Sequence, residues 1–198
     1  MILKSRYKKL NRMSSKSGII ILFMLAHLIL FLMMVFTFPR INAKIGTQAF
    51  DLKTFGYSQE EATLMIQNLD QSTIDFYVFP QLLLLDILYP ILLALFLSTL
   101  IIRLSNLILV NPNRIYSNLF MLPFIAMLID YLENVMILVM ITNPTEVSSG
   151  VIKAASIFTQ MKGALTTISW VVILILFVIW LNKRWRDKNV LPTKPKLH

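Results

Sequence analysis

Four long apolar runs constrain what this chain can fold into more than any other feature. They cover residues 18–38, 77–102, 117–142 and 154–181. Each run is near or above the roughly 20 residues that a helix needs to cross a hydrocarbon core about 30 Å thick. The sequence therefore predicts an all-α fold, an antiparallel four-helix transmembrane bundle, in a single membrane domain of residues 1–198.

The composition favours a membrane protein and excludes several other classes. The chain is 57% hydrophobic, and its mean hydropathy is +0.70. It has no cysteine, which excludes a disulfide scaffold, a thiolate metal site and a thiol redox enzyme. The formal net charge of +9 does not indicate a nucleic-acid partner, because the basic residues flank the apolar runs and form no surface interspersed with aromatic residues.

The lysines and arginines predict the topology. Fourteen of the 19 lie before the first run, between the second and third, or after the fourth. The connections on the other side contain Arg40, Lys44, Lys53 and Lys153. Because basic segments stay cytoplasmic, we expect the tails 1–17 and 182–198 in the cytoplasm and the protein in the plasma (inner) membrane. The first run is then a retained signal anchor, since it is too long for a signal peptide and no small-residue cleavage site follows it.

The long outer loop, residues 39–76, contains one predicted helix. Ser58 and Glu61 have the spacing of a capping box, in which Ser58 accepts from an early helix N–H and Glu61 reaches back. An apolar stripe follows at i, i+3, i+4 and i+7, namely Ala62, Met65, Ile66 and Leu69. We expect a short amphipathic helix over 58–69 that lies flat on the outer membrane face or covers the mouth of the bundle. The alternative is a connecting helix that only packs.

Five charged or strongly polar side chains lie inside the second, third and fourth runs: Asp86, Asp130, Glu133, Asn134 and Lys162. Charge in hydrocarbon is costly, so such residues usually face the interior of a bundle. Asp86 and Lys162 each lie about eight residues from the outer end of their runs, a depth of ~12 Å. Glu133 and Asn134 lie at a similar depth, and Asp130 lies one turn deeper. We therefore expect one buried polar cluster.

Helix geometry relates these residues to one another. Positions 130, 133 and 134 share one helix face, and Tyr89 shares a face with Asp86. Pro90 has no N–H, so the carbonyl of Asp86, four residues back, is left without its helical donor. We therefore expect that both the backbone and the side chain of Asp86 offer acceptors to the cluster.

Two other polar features of the runs have structural interpretations. Small residues recur every four positions in the fourth run, at Ala155, Thr159, Gly163 and Thr167. Such a stripe lets a neighbouring helix approach closely. A lone histidine in an apolar helix, His27, is predicted to be a hydrogen-bonded structural residue.

The cluster serves either a ligand or the stability of the bundle. Interhelical polar contacts contribute about 0.6 kcal/mol on average in one measured case, whereas a charge at the bilayer centre costs at least ~2.5 kcal/mol on insertion scales. This comparison favours a role with a ligand, an ion or a proton. Three acids against one lysine also leave negative charge, so a cation or second partner enters, or protons reside on the acids.

The sequence assigns no catalytic residue, no metal and no cofactor. It has no His-Glu-x-x-His, Gly-x-Ser-x-Gly or Walker motif, which favours a protein that is not an enzyme. The oxygen ligands of the cluster suit magnesium or calcium, but Lys162 would oppose a cation there.

Three short sequence elements of this chain resemble those of a known group of proteins. They are Gly56-Tyr-Ser-x-Glu-Glu-Ala62, Leu85-Asp-x-x-Tyr-Pro90 and Asp130-x-x-Glu-Asn134. Over roughly residues 50–165 the chain resembles a group of small uncharacterised bacterial membrane proteins with four spans. The resemblance implies a four-helix membrane fold and a bacterial origin, and it carries over no activity, substrate or catalytic residue.

These patterns together predict a multi-pass membrane protein that binds or handles a small amphipathic or lipid ligand in a buried acidic pocket open to the outer side. The expected site residues are Asp86, Tyr89, Asp130, Glu133, Asn134 and Lys162. Membrane lipids are the expected partners. Two alternatives remain open: a non-catalytic accessory or immunity-type subunit that pairs with another membrane protein, and an ion or proton pathway built by an oligomer.

Overall fold

The computed structural model describes residues 7, 10–108, 116–145 and 147–189. The rest of the predicted tails lies outside these residues. Within the described part the chain forms helices and turns and no strand, so the fold is all-α, as predicted. In chain order the five main helices of this part are α1 (Lys16–Ile45), α2 (Gln59–Gln67), α3 (Gln71–Ile108), α4 (Leu122–Thr142) and α5 (Ser149–Asn189), and a four-residue helix, Tyr116–Leu119, precedes α4. All the main helices except α2 are long and apolar enough to cross a membrane.

The four long helices differ from the apolar runs in their bounds. Three of them extend past the runs at both ends, whereas α4 begins at Leu122 and not at residue 117. Helix ends depend on capping groups more than on hydropathy. The side chain of Ser15 caps the start of α1, and that of Asp70 caps the start of α3. Pro123 lies in the first turn of α4, where a proline favours the start of a helix.

The four spans do not form a symmetrical ring. α3 is central and packs against α1, α4 and α5, and α4 also packs along α5. Among the residues the structure describes, α1 and α5 form no comparable packed pair. The bundle is therefore a three-helix core of α3, α4 and α5, with α1 docked on α3.

Basic residues at one end of the bundle hold three segments together. The Arg103 guanidinium donates to the carbonyl of Ser14 over 2.9 Å, and Lys183 Nζ donates to the carbonyl of Ile108 over 2.9 Å. The start of α1, the end of α3 and the far part of α5 thus lie at the same end, which we call the basic end. The opposite end, which carries residues 46–70, is called the loop end.

The core consists of two apolar layers. One lies toward the loop end and includes Phe38, Ile41 and Met140, and the other lies toward the basic end and includes Leu22 and Ile101. Large apolar side chains also cover the outside of the spans, among them Ile20, Met24, Leu28, Phe31, Val171 and Leu174. A soluble monomer rarely exposes so large an apolar surface, so this face is the one that contacts lipid.

Both α1 and α3 depart from regular α-helix toward the loop end. Met33–Thr37 in α1 is a wide, π-helical turn, and Tyr77–Leu85 in α3 contains a kink, because the backbone of Phe79 is extended (φ −138°, ψ 124°). The buried Thr37 hydroxyl is hydrogen-bonded to the Gln81 side chain, which joins the two irregular segments. The irregular stretch of α3 ends directly before Asp86.

The predicted loop helix is present as α2. The Ser58 hydroxyl accepts from the Glu61 N–H over 3.1 Å, and the predicted face is buried at Ala62, Met65 and Ile66. The Glu61 carboxylate pairs with Lys53. This hydrogen bond, more than the one from the Ser58 backbone that the capping box predicts, holds the pKa of Glu61 below its ordinary value.

A second segment of the loop, besides α2, also covers the bundle. α2 packs against α5, but a single helical turn, Phe50–Leu52, inserts between the spans. Phe50 of this turn is fully buried. The chain then returns along α5, where Tyr57 exchanges two hydrogen bonds with the Ser156 hydroxyl, at 2.9 and 3.0 Å. The cover over the interior therefore includes the stretch around Phe50–Leu52 together with α2, whose buried face belongs to the same apolar layer.

Candidate functional site

Lys162 of α5 lies between two carboxylates of α4. Its Nζ is 2.8 Å from Asp130 Oδ1 and 2.5 Å from Glu133 Oε2. Glu133 is fully buried, and its Oε1 accepts a 2.6 Å hydrogen bond from Thr159. The three-residue spacing on α4 puts both acids on the face toward α5, so the predicted meeting of the third and fourth spans is observed.

Asp86 joins the site from α3. The Asn134 amide donates to the Asp86 carbonyl over 3.3 Å, which is the carbonyl that Pro90 leaves without its helical donor. The Asp86 side chain is 3% exposed. Its Oδ2 has no hydrogen-bond partner within the described part of the chain. The expected acceptor pair of backbone and side chain is therefore present. The backbone carbonyl is satisfied, whereas Oδ2 of the side chain is not.

Asp51 is a site residue that the sequence reasoning missed. It lies in the inserted loop turn, is 8% exposed, and its Oδ2 accepts a 2.5 Å hydrogen bond from the buried Tyr77 hydroxyl. Its Oδ1, like Asp86 Oδ2, has no partner among the described residues. The one signal in the sequence is an acid between two apolar neighbours, Phe50 and Leu52, and many surface turns share that pattern.

A cavity of about 320 Å³ lies at these residues, between the two apolar layers. Its polar wall is formed by Asp51, Asp86, Asp130 and Lys162. Its apolar wall includes Leu30, Met33, Leu93, Ala94, Leu97, Ala126 and Met127. One end of the cavity therefore offers charge and hydrogen-bond acceptors, while most of the remaining surface is hydrocarbon.

The other predicted site residues have lesser roles. Tyr89 lines the cavity and is half-buried, but its hydroxyl makes no hydrogen bond to any residue the structure describes. His27 is hydrogen-bonded through Nδ1 to the carbonyl of Phe23 at 2.8 Å, the structural role that was predicted.

The small-residue stripe on α5 serves two purposes. Ala155 and Thr159 are fully buried, as a close helix contact requires. Gly163 instead faces the loop, because a Cβ there would lie 2.8 Å from Thr54 Cγ2. Thr167 is exposed. The expectation of close helix packing is thus correct for the first half of the stripe and wrong for the second.

The charge of the site is unbalanced. Asp51, Asp86, Asp130 and Glu133 face a single lysine among the described residues. Removing charges from water costs several kcal/mol for each ion unless partners compensate them. Lys162 compensates the two acids of α4, so Asp51 and Asp86 are the acceptors left for a further donor or cation.

A scan against protein-family models, a search of curated proteins and a search of solved structures found no match to this chain. The function is therefore inferred from the geometry of the site.

Proposed function

We propose that this protein binds a small amphipathic or lipid ligand in the cavity between its spans. The ligand's polar end contacts Asp51 and Asp86, and its apolar part lies against the wall that includes Leu93 and Leu97. The single observation behind this is the composition of the cavity, in which two buried carboxyl oxygens without partners adjoin a hydrocarbon surface.

The size of the cavity limits the ligand. Pockets for small molecules usually measure about 300–1,000 Å³, and about 320 Å³ is at the lower end of that range. A whole two-chain lipid exceeds this space. The bound species is therefore a small amphiphile, or one end of a larger lipid whose chains remain in the bilayer.

The proposed setting is the inner membrane of a bacterium, with both termini in the cytoplasm. The placement of basic residues at one end supports this orientation, since Arg103 and Lys183 meet there and basic segments stay cytoplasmic. In this orientation the loop end and its inserted turn face the outer side. The bacterial origin rests on the resemblance carried by Gly56–Ala62, Leu85–Pro90 and Asp130–Asn134.

Native mass spectrometry of the full chain released from lipid nanodiscs tests the proposal. We expect a bound molecule of defined mass on the wild-type protein and its loss from Asp86→Asn. Asp75→Asn is the matched control, because Asp75 is exposed and bonds only to Gln71 among the described residues. A bound protein in place of a small molecule would support the accessory-subunit alternative, and a ligand-free homo-oligomer would support the pathway alternative.

A further inference from the structure

The cavity is bordered by two helices that do not pack together. Leu30 and Met33 of α1 and Thr166 and Thr167 of α5 all line it. Each of these helices packs on α3, and within the described residues they form no packed pair with each other. The other neighbouring pairs, α3 with α4 and α4 with α5, are closely packed. The wall between α1 and α5 is therefore an open side of the cavity. The cavity also reaches the surface at the loop end, where the lining residue Thr54 is exposed.

Toward the basic end, an aromatic side chain lies between α1 and α5. The ring centroid of Phe96, on α3, lies 5.4 Å from the ring centroid of Phe23 on α1 and 6.0 Å from that of Trp170 on α5. Phe96 thus fills the space between the helices toward the basic end. Toward the loop end, among the residues that the structure describes, the cavity occupies the corresponding position.

The gap faces lipid. Thr167 lines the cavity and is also exposed, so the cavity reaches the protein surface there. Its neighbours on the outside of α5 and α1 are large exposed apolar side chains, including Ile168, Val171, Phe31 and Met34. A surface of this kind is covered by acyl chains and not by water.

The charge of the site selects among molecules that arrive from lipid. Lys162 is already paired with Asp130 and Glu133, and the free oxygens of Asp51 and Asp86 need donors. An anionic head group would bring them further acceptors, which disfavours it. A cation beside Asp51 and Asp86 would supply donors to both unpartnered carboxyl oxygens. A lipophilic amine has the required combination of a cationic donor and an apolar chain.

We propose that the gap between α1 and α5 is a lateral portal through which a lipophilic amine passes from the bilayer to Asp51 and Asp86. This rests on the proposed function for the ligand and adds its charge and its route. The route can be tested without the ligand, because it depends only on access from lipid.

The route is tested by labelling a single cysteine inside the cavity. The chain has no cysteine of its own, and Ala126 is a buried cavity residue on α4. In nanodiscs we expect Ala126→Cys to react with an alkyl maleimide dissolved in the bilayer. Adding Thr167→Trp should slow that reaction at least ten-fold. The control is Ile168→Trp, which places the same tryptophan side chain on α5 at a residue that does not line the cavity, and it should leave the rate unchanged.

Two labelling results would overturn the portal. One is reaction of Ala126→Cys only with a water-soluble, membrane-impermeant maleimide, and the other is equal slowing by Thr167→Trp and Ile168→Trp. Thr167→Phe provides a second blocking variant if the tryptophan variant does not fold, as judged by thermal unfolding.

The charge preference is tested with decylamine, decanol and decanoate, which share a ten-carbon chain and differ in the head group. Native mass spectrometry should show at least ten-fold greater retention of decylamine than of the other two, and Asp86→Asn should remove the difference. Equal retention of the three probes would overturn the proposal that the ligand is an amine.

If decylamine is retained but Thr167→Trp does not slow the labelling of Ala126→Cys, the proposed binding function stands and the portal is wrong. If Thr167→Trp slows the labelling and Ile168→Trp does not, but no probe is retained, the portal stands and the binding function is wrong.

Discussion

The Tyr77 hydroxyl donates a 2.5 Å hydrogen bond to Asp51 Oδ2. Tyr77 lies at the loop end of α3, and Asp51 lies in the turn Phe50–Leu52 that inserts between the spans. The contact holds a loop residue against the cavity. The polar site is consequently built by three helices and a loop, and access from the loop end depends on how firmly that turn is held.

Tyr77→Phe should loosen the inserted turn. The change removes the hydroxyl donor and leaves the buried Asp51 carboxyl without a partner among the described residues, which costs about 1–3 kcal/mol. Hydrogen exchange should rise across residues 49–57, and thermal stability in detergent should fall. Tyr131→Phe is the control, because that hydroxyl donates to the carbonyl of Ile87 at a more exposed position. Equal exchange in residues 49–57 of both variants would contradict this account.

Lys162 and Glu133 should be energetically coupled. Lys162→Met leaves a buried carboxylate without its cation, and breaking such a pair typically costs about 3–5 kcal/mol. Adding Glu133→Gln should restore part of the loss, because it removes the unpaired charge. A double-mutant cycle from thermal unfolding in detergent gives the coupling, which we expect within about 0.5–3 kcal/mol.

The exposed pair of Lys44 and Asp70, 2.9 Å apart with both side chains about half exposed, is the control for this cycle. Its coupling should stay below about 1 kcal/mol. A value near zero for Lys162 and Glu133 would mean that the single buried cluster does not exist in solution.

The hydrogen bond from Asn134 to Asp86 should matter only while Pro90 is present. Asn134→Leu removes the donor to the Asp86 carbonyl and should cost about 1 kcal/mol. In a Pro90→Ala background the helix regains its own N–H donor for that carbonyl, so the same change should cost less. Chemical unfolding of the two single variants and the double variant measures the difference. An unchanged cost in the Pro90→Ala background would show that the carbonyl is satisfied in another way.

Cysteine labelling in cells should place the loop end outside. Phe55 is 97% exposed in the loop, so Phe55→Cys should react with an impermeant maleimide on intact cells. Asp187→Cys, at the exposed far end of α5, should react only after the membrane is permeabilised. The reverse pattern would invert the topology that the basic residues predict.

The sequence predicted the contacts of the polar cluster that follow from helix register. The spacing of Asp130 and Glu133 put both acids on one face, and similar depths brought Lys162 to that face. The missing N–H of Pro90 predicted a free carbonyl at Asp86, which Asn134 occupies. These inferences succeed because helical periodicity and the cost of charge in hydrocarbon both act on each span separately.

The same reasoning could not predict contacts made by the outer loop. Its strongest signal, the capping box at Ser58, correctly predicts α2, but the segment that enters the bundle is the turn around Asp51. Gly163 belongs to a small-residue stripe that indicates helix packing, and in the structure it gives room to Thr54 of the loop. Irregular backbone has no period, so neither its path nor its buried side chains can be read from residue spacing.

The sequence by itself determined that this chain has four helices long and apolar enough to span a membrane, and that polar residues of three of them lie at one level. Hydropathy, charge and helical period carry that information, since each is a property of a local segment. Only the tertiary structure decided that Asp51 completes the site, that α1 docks on α3, and that the cavity opens between α1 and α5. Those features depend on which surfaces meet and how closely they pack, and this is settled by the shapes of all the helices together.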